Sequence, residues 1–106
     1  MPKYLFEGKY SLEGAKGLAR EGGSGRRQAI AAMCEGLGGK LEHLYFAFGD
    51  VDVYAIADLP NEQAAAAASL AVNQNGSAAV KVVVLMTPEQ LDAAAKKSVN
   101  YRAAGR

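Results

Sequence analysis

Residues Lys40–Pro60, KLEHLYFAFGDVDVYAIADLP, alternate in polarity on both sides of a Gly49-Asp50 pair. Alternation with a period of two describes a strand with one buried face, and a glycine between two such runs describes a hairpin. Glycine at the first central position suits a type II′ turn, which needs positive φ there. A loop of only Gly49 and Asp50 fixes the register. Phe48 then faces Val51, Phe46 faces Val53 and Leu44 faces Ala55, while Ala47 faces Asp52, Tyr45 faces Tyr54 and His43 faces Ile56. Each set shares a side of the sheet. The first set, extended by Ala57, is apolar and is expected to be core. The second, His43, Tyr45, Asp52 and Tyr54, combines aromatic bodies with groups that hydrogen-bond or titrate. A slip of one residue would exchange the two sides and bury Asp52.

The rest of the chain supplies partners for this hairpin. Lys3–Tyr10 reads as a strand, with Tyr4, Phe6 and Tyr10 on one side and Lys3, Leu5, Glu7 and Lys9 on the other. Ser11 can cap a short helix, Leu12–Arg20, which Gly22-Gly23-Ser24-Gly25 breaks. Arg26–Leu37 is a second helical segment. Its Ile30, Met33, Cys34 and Leu37 recur at the spacing of one buried face. Gly38-Gly39 ends it. After Pro60, Asn61 is the N-cap of an alanine-rich helix, Glu62–Asn73, whose composition implies close backbone contact with a sheet. Asn75-Gly76 terminates that helix, and Val80–Met86 is a β-branched strand. Thr87-Pro88-Glu89-Gln90 is a capping box with proline at the first helical position, opening a last short helix that carries Lys96 and Lys97 at its end.

Strand, helix, strand, strand, helix, strand is the ferredoxin-like βαββαβ order, an α+β sandwich with a four-stranded antiparallel sheet and helices on one face. A C-terminal helix and tail are added. We expect a single domain over residues 1–97, including the helix at 88–97, and a tail at 98–106. The sheet face without helices would carry His43, Tyr45 and Tyr54, with either Val80, Val82 and Val84 or Lys81, Val83 and Leu85. That face is too apolar to remain in water, so a homo-oligomer formed through it is expected.

A net charge of +1 gives no polyanion signal, and neither nucleic acid nor a membrane is expected as a partner. The N-terminus does not read as a signal peptide, no apolar run approaches the ~20 residues of a membrane helix, and a cytoplasmic protein is the expectation. One cysteine, Cys34, excludes an intrachain disulfide and a Cys-rich zinc site. It sits on an apolar helix face as a small core residue. No metal site and no cofactor are expected.

Two groups of residues are candidate sites. Gly22, Gly23, Ser24, Arg26 and Arg27 place glycines, free N–H groups and two guanidinia where a helix begins. That combination suits a small anionic metabolite, although either arginine could instead pair with an acid such as Asp50 or Asp58. There is no Gly-Lys-Ser/Thr ending, so this is not a P-loop. The second group is His43, Tyr45, Asp52 and Tyr54, with Glu7 in reach. These could line a catalytic pocket in which His43 serves as base, or they could form a polar patch at a subunit contact.

Several of these stretches together resemble the GYD-domain family. They are Gly22–Arg27, Leu37-Gly38-Gly39-Lys40-Leu41, Tyr45–Asp52, Ala57-Asp58-Leu59-Pro60, Val84–Glu89 and Tyr101-Arg102. The resemblance implies a small bacterial protein of the ferredoxin-like, dimeric α/β-barrel type, and it implies no reaction. Val51 stands where the signature tyrosine would be, so no role of that tyrosine carries over. The tail reads Tyr101-Arg102-Ala103-Ala104-Gly105 where relatives suggest Tyr-Arg-Pro-Pro-Gly. The leading expectation is an oligomeric module that binds a small anionic or polar ligand in a sensory or accessory role. The alternatives are a cofactor-free enzyme acting on a small aromatic or carbonyl compound, and a structural assembly subunit.

Overall fold

The computed structural model describes residues 1–106. The elements are β1 (Lys3–Tyr10), α1 (Leu12–Glu21), α2 (Gly23–Gly36), β2 (Lys40–Phe46), β3 (Val53–Asp58), α3 (Glu62–Asn75), β4 (Ala78–Leu85) and α4 (Pro88–Ala95). The strands form one antiparallel sheet in the order β2-β3-β1-β4. With α2 over β2 and α3 over β4, this is the ferredoxin-like α+β fold.

The helix starts follow their caps. Ser11, Asn61 and Thr87 accept hydrogen bonds from the backbone N–H of Gly14 (3.1 Å), Ala64 (2.9 Å) and Gln90 (3.1 Å). Gln90 Oε1 returns the bond to the Thr87 N–H at 2.8 Å, completing the capping box. α2 begins at Gly23 rather than at Arg26. A single glycine with φ 84°, Gly22, is enough to separate α1 from α2, so Gly23–Gly25 are free to take helical geometry.

The β2–β3 register runs from Phe46↔Val53 through Tyr45↔Tyr54 and Leu44↔Ala55 to His43↔Ile56, as the alternation requires. The tight turn is a different matter. The ladder stops at Phe46, and the loop is not a two-residue type II′ turn. Gly49 has φ 151°, far from the value that turn needs. The loop is drawn toward β1 instead: the Asp52 N–H donates to the Gly8 carbonyl at 2.9 Å, and Lys9 Nζ donates to the Gly49 carbonyl at 3.1 Å. Phe48 therefore does not pair with Val51 and is fully exposed, not part of the core. A bulge at Glu42 separates the Leu41↔Ala57 pair from His43↔Ile56.

Pairing assigns the two faces. Tyr4, Phe6, Gly8 and Tyr10 lie on the helix side with Val80, Val82 and Val84, which leaves Lys81, Val83 and Leu85 on the open side. The core is a cluster of Tyr4, Cys34, Ala57, Leu59 and Ala65, with Phe6, Ile30, Leu37, Leu41 and Val82 packed around it. It is thin: 10 of 106 residues are buried, so much apolar surface stays within reach of water. The radius of gyration is 16.7 Å, against ~13 Å for a compact chain of this length. No residue of α4 is buried, and Met86, Leu91, Val99 and Tyr101 are exposed.

On the open face, Lys3 joins Glu42 at 2.5 Å and Asp58 at 2.9 Å. The hydrogen bond from Lys3 holds the Asp58 carboxyl below its ordinary range. A depressed carboxylate contributes stability that is present above its unfolded value, near 4, and is lost as pH falls through the folded one. We predict that Asp58→Asn unfolds at a lower temperature than the wild type at neutral pH. The gap should close as the pH falls below about 4, as thermal unfolding at a series of pH values would read.

Candidate functional site

A cleft opens between α2 and α3, on the helix side of the sheet. Its volume is about 310 Å³, at the lower end of what small-ligand sites occupy. Small residues create it. The floor is Gly8, Ala55 and Ala57, and the α3 wall is Ala68, Ala71 and Val72. Even the floor is tight, since a Cβ on Gly8 would lie 2.7 Å from Val53 Cγ1. Opposite stand Ile30, Met33, Cys34 and Leu37, the α2 face expected to be buried. Burial pushes the Cys34 thiol up, so it is a neutral wall group rather than a nucleophile.

The cleft has two unlike ends. Toward Leu37, Leu41 and Leu59 it is wholly apolar and closes on the core cluster. Toward the N-terminus of α2 it meets Tyr10, Arg26, Asn75 and Ser77. Arg26 is the one charged side chain among the lining residues. Its partner is Glu21, with Nη1–Oε1 at 3.4 Å, and both side chains are more than a third exposed. That is a long, solvent-screened pair, of the kind worth little and easily exchanged for another anion. Burial pushes the Tyr10 phenol up, so it stays a neutral hydroxyl at this end. α2 carries no acidic residue in its first turn and no side-chain cap, and the acid at its positive end is Glu21, which lies against Gly25 and Arg26 without bonding a backbone N–H.

The other residues of the expected anion loop separate. Gly22 is the hinge between the helices, and Gly23 packs toward Phe46, whose Cε2 would be 3.2 Å from an added Cβ. Ser24 is exposed. Arg27 lies toward β2, along a shallow depression shared with Glu42, His43 and Tyr45. Only Arg26 of this group reaches the cleft.

The second group is partly brought together. Tyr45, Tyr54, Glu7 and Lys81 follow one another across the open face, and His43, Ile56, Leu5 and Val83 form the adjoining row. The His43 and Tyr45 rings stack, with centroids 6.5 Å apart and planes at 15°. No hydrogen bond joins His43 to an acid or a tyrosine, so no base is oriented here. Asp52 is engaged elsewhere. Its Oδ2 accepts from the Tyr10 N–H at 3.0 Å and its Oδ1 from Lys9 Nζ at 3.3 Å. The Tyr10 N–H bond is the main reason its carboxyl is held below the ordinary range. Asp52 thus satisfies the end of β1, a structural task. No group of His, Cys, Asp and Glu is arranged to hold a metal ion, and no helix is long and apolar enough to cross a membrane.

No motif in the sequence marks Tyr10, Asn75 and Ser77 as site residues. The one signal for them is indirect: small residues facing one another across Gly8, Ala55, Ala57 and the alanine-rich helix leave volume unfilled. A family model described as GYD domain matches residues 4–95. No curated protein and no solved structure matches the chain.

Proposed function

The chain belongs to the GYD-domain family, and from that premise we propose that it is an oligomeric domain that binds a small anionic ligand at Arg26, in a sensory or accessory role. The observation that carries this reading is the placement of Arg26. It is the sole charge lining an otherwise apolar cleft, beside an uncapped helix N-terminus. Oligomerisation is supported separately by the open-face row of Ile56, Leu5 and Val83 and by the extended shape of the single chain.

The test is the thermal unfolding midpoint in a panel of organic carboxylates and phosphates, each against a neutral analogue. At least one anion should raise the wild-type midpoint and leave Arg26→Gln unchanged. If no anion does so, the reading fails. The enzymatic alternative has no comparable support, because His43 lacks a hydrogen-bonded partner.

A further inference from the structure

We infer that the ligand of the helix-side cleft is an amphipathic monocarboxylate, with its carboxylate at Arg26 and a medium-chain aliphatic body running toward Leu37 and Leu41. This rests on the reading of Arg26 as the anion anchor and adds the body, its direction and its chemistry.

The cleft itself supplies the reasons. Its charge lies at one end: Arg26 sits with Tyr10, Asn75 and Ser77, and the groups beyond Ile30 are Met33, Cys34, Leu37, Leu41 and Leu59. An inorganic anion would use the first group and leave the second wet. A neutral hydrocarbon would use the second and leave the Arg26–Glu21 pair in place. Only a molecule with both parts satisfies both ends. From Arg26 to Leu37 the helix rises ~16 Å, which is more than an eight-carbon acid needs when extended. The volume of about 310 Å³ lies at the small-ligand end of binding sites and admits a medium-chain acid such as octanoate. A single cation matches one carboxylate, which Arg can hold in bidentate fashion. Within the cleft a dianionic phosphate would find only one guanidinium, since Arg27 lies over β2 and Arg20 lines the neighbouring pocket, where Glu13 and Glu21 offset it.

The site also explains why the chain tolerates a thin core. Binding would cover Ile30, Met33, Val53 and Val80, which are only half-buried without it. Each methylene taken from water should tighten binding by roughly fourfold.

The experiment is isothermal titration of the wild type with acetate, butyrate, hexanoate and octanoate, and with octanol and octylamine as head-group controls. We expect Kd to fall about fourfold per methylene up to octanoate. Octanol should bind at least tenfold more weakly than octanoate, and octylamine should not bind. Ala71→Phe, at an exposed helix position that lines the cleft, should lose the chain-length dependence while acetate binding persists. Arg26-dependent binding that is equal from acetate to octanoate would overturn the amphipathic ligand and leave the anion site standing. No anion binding at all would overturn both. Octanol binding as tightly as octanoate would overturn the assignment of the head group to Arg26. The chain-length series needs no variant, so a poorly folded Ala71→Phe protein leaves the inference fully testable.

Discussion

Gly39→Ala is expected to lower the unfolding midpoint by roughly 12–24 °C, the equivalent of about 3 kcal/mol in a domain of this size. The added Cβ would lie 1.9 Å from the Asp58 carbonyl oxygen and 2.9 Å from its carbon. Both are backbone atoms, so no rotamer change relieves the overlap. Asp58 pairs with Lys3 on one side and Lys40 on the other, so a shift there disturbs three strands at once. Its neighbour Leu59 is completely buried in the core cluster, and the Leu59 N–H donates to the Pro2 carbonyl at 3.1 Å. Gly36→Ala is the control. Nothing lies within 4 Å of a Cβ at that position and its φ is negative, so it should be neutral or stabilising by ~0.5 kcal/mol. Circular dichroism melts of the two variants side by side read the difference. Equal midpoints would show that the Gly39–Asp58 approach is not a constraint.

For the proposed oligomer, taken as a dimer through the open face of about 22 kDa, twice the chain mass of 11.1 kDa, Val83→Lys is expected to leave a monomer in solution. Val83 stands on the open sheet face in the row His43–Ile56–Leu5–Val83 and is 40% exposed in the single chain. A lysine there is solvated in the monomer and costs only a few tenths of a kcal/mol. In a dimer closed through this face, the same charge would be buried beside Lys81, with Glu7 already opposite that lysine, at a cost of several kcal/mol. Light scattering at micromolar concentration, with far-UV circular dichroism to confirm the fold, separates the two states. A wild-type mass of one chain would end the oligomer proposal. An unchanged dimer mass for Val83→Lys would move the interface to another surface, with α4 and the exposed Tyr101 the remaining apolar candidates.

Much of this architecture was legible in local chemistry. Ser11, Asn61 and Thr87 announce their helices because a side-chain oxygen before a helix has one obvious N–H to accept. The strand faces follow from alternation, which side-chain geometry enforces residue by residue. The places that escaped are those where distant parts of the chain compete for a group. Nothing near Gly49-Asp50 says that Asp52 will be held by the end of β1, yet that attachment opens the turn and exposes Phe48. The glycines after Glu21 suggest a loop, but a break between helices needs only Gly22, and packing against Phe46 gives Gly23 a helical place. For the site, the nature of Arg26 was readable. That it would meet Tyr10, Asn75 and Ser77 was not, because those residues come from three other elements or their ends. The alanine-rich composition of α3 implies tight contact. This holds for Ala65 and Ala68, which are buried, but Ala71 borders open volume.

The bulge at Glu42 acts as a frame correction within β2. Counted back from Leu44 by strict twos, Glu42 and Lys40 would point at the core and Leu41 at the open face. One unpaired residue resets the count, so Leu41 meets Ala57 inside, Lys40 meets Asp58 outside, and the Glu42 carboxylate reaches Lys3. The strand therefore reads in two phases joined at a single position. Its side assignment depends on Glu42 staying unpaired more than on which side chain stands there. Substitutions at Glu42 alter one ion pair, and deleting it would leave an unbroken alternation with Leu41 still inside and Lys40 outside, whereas keeping all the residues but pairing every one would turn the leucine out and the lysine in.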